Sequence, residues 1–293
     1  MNFENSGKGN LYHQIITGLK TLGWDVDFQK VLSLLKPCSA IELHARNQPL
    51  AIGESKFGGV PDLPEETIWP NINGIPFAFI GQINLCQERF DPENLLPKKG
   101  MLYFFVSLSD DNFQSFPLNE LHKVIYHDGQ ISELSSRPLP PGYLEYAKFR
   151  ESAVEFKPHY SLPSYQNFQI IKNQFTDDDQ ERLFEASEML CELSGIKPDT
   201  GHQLLGNPDA IQGDVHHWWA FQDCLIAVDI DKKRSKQIQR SEKDYVLLLQ
   251  VDLLDEISQF NRYGASGALY FGIKTNDLKR LNFDHTSFVL QNS

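Results

Sequence analysis

Phe79-Ile80-Gly81-Gln82-Ile83-Asn84-Leu85 reads as a strand fit for burial that nonetheless carries two side-chain amides. Alternate residues of a strand share a face, so the spacing puts Ile80, Gln82 and Asn84 on one side and Phe79, Gly81, Ile83 and Leu85 on the other. The phrase returns in the second half as Leu247-Leu248-Leu249-Gln250-Val251-Asp252-Leu253, with Gln250 and Asp252 in the polar places. Upstream of each stands a Gly-x-Pro-Asp phrase, Gly59-Val60-Pro61-Asp62 and Gly206-Asn207-Pro208-Asp209. Downstream stand Gly100-Met101-Leu102-Tyr103-Phe104 and Gly267-Ala268-Leu269-Tyr270-Phe271, each with an aspartate ten residues past its glycine, Asp110 and Asp277. The steps from glutamine to glycine are 18 and 17 residues. Ordered phrases at matched spacing predict an internal duplication.

That reading implies an α+β fold, mostly antiparallel sheet built from two copies, with a few flanking helices. Residues 1–39 are expected to be an N-terminal helical segment and 40–293 the main domain. Its copies would span about 54–134 and 202–291, joined by a crossover with a helix over 135–201. Leu11, Ile15, Ile16 and Leu19 recur at helical spacing, and a second helix carries Val31, Leu32, Leu34 and Leu35. A loosely alternating first strand is expected over 41–52, a tight turn at Asn73-Gly74, and a hairpin about Asp128-Gly129. Five prolines between 135 and 170 predict an irregular, protease-sensitive crossover. Asp177 to Ser194 predicts the best helix: three aspartates start it, Leu183, Phe184, Met189, Leu190 and Leu193 form its stripe, and Gly195 stops it. The second copy spends 44 residues between Gly206 and Gln250 where the first spends 23, and Trp218–Ile230 in that insertion is expected to add one or two strands. Three helices are expected outside the sheet.

The chain has 293 residues, 41% hydrophobic and 23% charged, as in ordinary globular proteins. A net charge of −12 argues against nucleic acid and anionic membrane as partners. Lys232-Lys233-Arg234 with Lys236 is the basic cluster and reads as a solvated loop. Four cysteines at 38, 86, 191 and 224, with no CxxC pair, fit a reducing compartment. The polar start Met1-Asn2-Phe3-Glu4-Asn5-Ser6 lacks a signal-peptide profile, and no apolar run approaches the ~18 residues a membrane helix needs. A cytoplasmic protein is expected.

A buried amide left without partners costs about 1–3 kcal/mol, so Gln82, Asn84, Gln250 and Asp252 must be held by something. A pseudo-twofold axis would bring the two pairs to one central cleft as the floor of a ligand site, with Asp62 and Asp209 on its rim. The alternative is structural: the amides pin the Gly-x-Pro-Asp loops to the sheet. Asp214-Val215-His216-His217-Trp218-Trp219, with His202 upstream, is the local metal-like cluster, although its spacing is weak beside HExxH or paired CxxC. Tyr103 and Tyr270 are expected to serve packing. Walker, GxGxxG, GxSxG and kinase signatures are absent from the sequence.

The chain resembles the bacterial YwqG-like family, a domain of unknown function (number 1963). The resemblance is carried by Phe57-Gly58-Gly59-Val60-Pro61-Asp62-Leu63-Pro64, Ile68-Trp69-Pro70, the two glutamine phrases and Leu96-Pro97. His202-Gln203-Leu204-Leu205-Gly206, Ile211-Gln212-Gly213-Asp214 and the two Leu-Tyr-Phe phrases extend it over about 40–290. Where the family tends to read Gly-Asp-x-Gly before its last Leu-Tyr-Phe, this chain reads Gly264-Ala265-Ser266-Gly267. The resemblance implies an α+β fold and a cytoplasmic protein, and brings no activity, cofactor or catalytic residue.

The leading expectation is a non-catalytic binding module for a small polar ligand or a peptide. A second is an enzyme, hydrolytic or metal-assisted, working through Asp209, Asp214, His202 and His216. A third is an acidic, immunity-like partner of a basic protein, anchored by Trp218 and Trp219.

Overall fold

In chain order, the strands of the computed structural model are β1 (Lys36–Ala45), β2 (Lys56–Phe57), β3 (Asp62–Pro64), β4 (Asn71–Ile72), β5 (Ile75–Pro76), β6 (Ala78–Asn84) and β7 (Met101–Val106). They continue with β8 (His122–His127), β9 (Leu134–Ser136), β10 (Ser152–Ser161), β11 (Gln203–Leu205), β12 (Tyr245–Asp252), β13 (Gly267–Lys274) and β14 (Thr286–Asn292). Seven α-helices lie among the described residues: α1 (Gly7–Thr21), α2 (Phe28–Leu34), α3 (Asp110–Ser115), α4 (Asp177–Ser194), α5 (Val215–Cys224), α6 (Lys232–Ser241) and α7 (Thr275–Lys279). The described residues are 7–25, 27–87, 89–167, 169–170, 175–197, 201–224, 232–264 and 266–292.

Ten strands form one antiparallel sheet in the order β14-β13-β12-β11-β1-β10-β2-β6-β7-β8. β1 and β10 pair along ten residues at its centre, and each then pairs outward with one half of the chain. The sheet curls until its two edges meet: His122 Nε2 on β8 lies 3.0 Å from Thr286 Oγ1 on β14, and Lys123 Nζ lies 2.5 Å from Asp284 Oδ1. Phe104 and Phe271, from opposite halves, touch edge-on with ring centroids 5.1 Å apart inside the curl. The largest core fills that inner face, with Ile41, Ile83, Leu102, Phe104, Leu249 and Phe271 fully buried.

The two glutamine strands each carry a β-bulge, between Phe79 and Gly81 in β6 and between Leu247 and Leu249 in β12. A bulge sets two residues against one and breaks the period of two. Strict alternation therefore fails there. Ile80 joins Ile83 in the main core, while Phe79 packs with Tyr103 and Phe105 on the opposite side. Leu248 and Leu249 both enter the main core, and Leu247 packs instead with Trp219 and Tyr270.

Other expectations are corrected. The first strand spans Lys36–Ala45 rather than 41–52, starting right behind the second helix and taking in Pro37. Asp128-Gly129 makes no hairpin: Ile131–Glu133 is a 3₁₀ turn, and β9 pairs with β3 instead. The supposed irregular crossover contains β10, a central strand. Residues 215–224 form α5, where strands were expected; 225–230 lie outside the described residues. α4 spans Asp177–Ser194 as read, with a capping box at Thr176 and a left-handed Gly195. Its stripe is narrower, because Phe184 is 65% exposed. α4 packs on α1 and β10, joining the N-terminal helices to the sheet through Leu11, Ile15, Trp24, Tyr160 and Leu183. Among the described residues, no helix is long and apolar enough to cross a membrane.

Candidate functional site

The same hydrogen bonds recur in both halves around the glutamines. Gln82 Oε1 accepts from Asp62 N at 2.8 Å, and Gln250 Oε1 accepts from Asp209 N at 2.9 Å. Gln82 Nε2 donates to Glu54 O at 2.8 Å, and Gln250 Nε2 donates to Gly201 O at 3.0 Å. Tyr103 and Tyr270 hydroxyls each donate to the carbonyl of the same aspartate at 2.6 Å. Asn84 N donates to Ser55 Oγ and Asp252 N to His202 Nδ1. The backbone turns alike: Gly58 and Gly59 have φ of 64° and 68°, and Leu205 and Gly206 have 62° and 83°. At Gly58 a Cβ would run into the Arg150 carbonyl, so glycine is required there; Leu205 holds the same left-handed conformation with a buried side chain.

These bonds tie each Gly-x-Pro-Asp loop to the sheet. They do not gather the two glutamines into one floor, because β2, β10, β1 and β11 separate β6 from β12. Around Gln82 the polar groups are mutually satisfied. The Asp62 carboxylate accepts from Gln82 Nε2 at 2.7 Å, Gly53 N at 3.0 Å and Lys56 Nζ at 3.2 Å. Lys56 Nζ also lies 3.2 Å from Glu151 Oε2. Asn84 Nδ2 donates to Gly53 O at 2.7 Å. Lys56, Asp62 and Gln82 are buried, so this is a closed ion-pair and amide network.

The second half is open where the first is closed. A cleft of about 550 Å³ lies between α4, the end of β10 with the segment after it, and the 203–210 loop. Asp209 and Gln250 reach it from the sheet side; Phe184, Ser187, Glu188 and Cys191 reach it from α4. Among the described residues the Asp209 carboxylate has no hydrogen-bond or ion-pair partner. Solvent reaches it through the cleft mouth, yet surrounding protein strips much of its hydration and raises its pKa. Burial, then the charges of Asp209 and Glu188, push the Cys191 thiol up, and all three residues line the cleft. His159 on the cleft wall bonds Ser194 Oγ at 2.9 Å, and burial lowers its pKa to about 4. Ser164 Oγ, also on the wall, is buried without a partner among the described residues.

The remaining sequence candidates lie elsewhere. Asp252 accepts from Leu254 N at 2.8 Å in the turn after β12. His202 is wedged against Phe57 and Phe260, with Nε2 3.8 Å from Asp255 Oδ1. Asp214 opens α5, accepting from His216 N at 2.8 Å, and the His216 ring packs on Trp219. Neither His202, Asp214 nor His216 lines the cleft beside Asp209. Glu42, His44 and Glu155, on the outer face of β1 and β10, bring ligand atoms within 4.8 Å of one another; none was a sequence candidate. Lys157 Nζ already pairs with Glu42 at 2.7 Å. Trp219 is fully buried and Trp218 is 43% exposed, so the tryptophan pair is split between core and surface.

Sequence reasoning missed Phe184, Glu188 and Cys191. They recur at helical spacing along α4, a signal masked by reading Phe184 into the buried stripe. It also missed Lys56, whose signal was a lone charge inside a Gly/Pro-rich, apolar phrase. No curated protein matches this chain. A family model, the domain of unknown function DUF1963, matches residues 55–291, which takes in both glutamine strands, both Asp loops and α4. The chain belongs to the DUF1963 family.

Proposed function

We propose that this is a non-catalytic binding protein whose seat for a small polar ligand or peptide segment is the cleft beside α4. The carrying observation is the cleft of about 550 Å³, whose wall carries an Asp209 carboxylate without a partner among the described residues. That volume lies in the range of small-molecule sites. The seat differs from the shared floor read in the sequence: Asp209 and Gln250 line it, Asp252 shapes the adjoining turn, and Gln82, Asn84 and Asp62 act as scaffold. The scatter of Asp209, Asp214, His202 and His216 over separate environments weighs against the hydrolytic or metal-assisted reading.

A duplication belongs to the same proposal, supported by the matched bonds of Gln82 and Gln250 and by the matched bulges. So do the limits of 1–39 for the N-terminal segment and 40–293 for the duplicated domain. A net charge of −12 supports a protein that avoids nucleic acid and anionic membrane, and unpaired cysteine usage supports the cytoplasm. Exposed Trp218, beside the His217–Glu242 pair of 2.7 Å, favours a protein partner as the second reading.

Ser187→Trp puts an indole into the cleft from α4. In a thermal-unfolding screen of small polar compounds, those that raise the melting temperature of the wild type are expected to leave this variant unmoved. Equal shifts in both proteins would show that the ligands bind elsewhere.

A further inference from the structure

Asp62 and Asp209 hold matching places, and the first half displays what such a carboxylate takes. Lys56, directly across the ladder from Gln82, puts its ammonium between Asp62 and Glu151, 3.2 Å from an oxygen of each. The place across from Gln250 belongs to Gln203, a neutral amide that bonds Asn207 O at 2.6 Å. The second half thus keeps the aspartate and lacks the lysine. A second carboxylate is again at hand, Glu188 on α4, which lines the same cleft as Asp209. Among the described residues lining the cleft there is no lysine or arginine.

Resting on the reading of the cleft as a ligand seat, we propose that it takes a primary alkylammonium group, held by Asp209 and Glu188 as Lys56 Nζ is held by Asp62 and Glu151. Among the described residues no counter-charge faces the Asp209 carboxylate in the cleft, and an arriving ammonium would supply one. The alkyl chain leaves past Phe184 and Tyr165, 65% and 63% exposed at the cleft, whose ring faces suit both methylenes and a second cation. The occupant is therefore a free amine of the lysine side-chain or polyamine kind.

The test is calorimetric titration with cadaverine and with its diol analogue, in which hydroxyls replace both amines. The wild type is expected to bind the diamine and to ignore the diol. Asp209→Asn is expected to weaken diamine binding at least about tenfold, the effect of losing one charged hydrogen-bond partner. Gln203→Lys rebuilds the Lys56 arrangement in the second half; it is expected to raise the melting temperature and to weaken the diamine by a similar factor. If Asp209→Asn fails to fold, Gln203→Lys carries the test alone. Diamine binding that is equal in all three proteins, or absent from the wild type, overturns the proposal. If neutral or anionic compounds still stabilise the wild type but not Ser187→Trp, the ammonium assignment falls and the cleft reading stands. If no compound separates those two proteins, both fall.

Discussion

His122 shows how one side chain ties acid sensitivity to the closing of the sheet. It sits on β8 with its ring stacked on Phe288 at 5.6 Å and its nitrogens facing Thr286 Oγ1 and Leu118 O. Burial lowers its pKa from 6.5 to about 4; Lys123 next to it adds in the same direction, while the contacts to Leu118 and Thr286 oppose. Phe271, edge-on at 6.2 Å, adds no charge. Between those pH values the unfolded chain binds a proton that the folded chain refuses, so stability falls as pH falls from 6.5 toward 4. The loss from this one group is about 3 kcal/mol. His159, also lowered to about 4, contributes with the same sign. Urea unfolding of His122→Phe across that window is expected to show a visibly shallower loss than the wild type. An unchanged slope would assign the acid sensitivity to other groups.

Among the elements, α4 was legible at both ends because its stop and start signals are chemical and local. Thr176 accepts from Asp179 N while Asp179 returns a bond to Thr176 N, at 3.2 and 2.9 Å. Thr176→Ala is expected to cost about 1 kcal/mol in urea unfolding, and Thr176→Ser to cost much less. The helix also forms one wall of the cleft, so the alanine variant should weaken any cleft ligand by loosening that wall. β10 was illegible for the opposite reason. Pro158 reads as a strand breaker, and Glu155 and Lys157 give its outer face the look of a loop. Its full pairing with β1, Ser39 standing opposite Pro158, is a tertiary fact that no local window contains. α5 was misread because aromatic, β-branched stretches suit either state, and its N-terminal Asp214 cap decides between them.

For the molecule as a whole, repeated phrases were enough to read an antiparallel α+β architecture, and not enough to place the site. Both halves hold their aspartate loop by a glutamine and a tyrosine; the glutamine's part was legible in the order of the motifs, whereas the tyrosines were read as packing and their hydroxyl bonds were not. What distinguishes them is a lysine in one half and a glutamine in the other, at positions made equivalent only by the ladder. On the proposed reading the closed first half serves as scaffold, and the open second half, walled by α4, is the seat of the ligand. Native mass spectrometry of freshly purified wild type beside Ser187→Trp tests this most directly. A mass in excess of the chain is expected in the wild type and absent from the variant. Spectra that agree in both proteins, with or without an added mass, would contradict it.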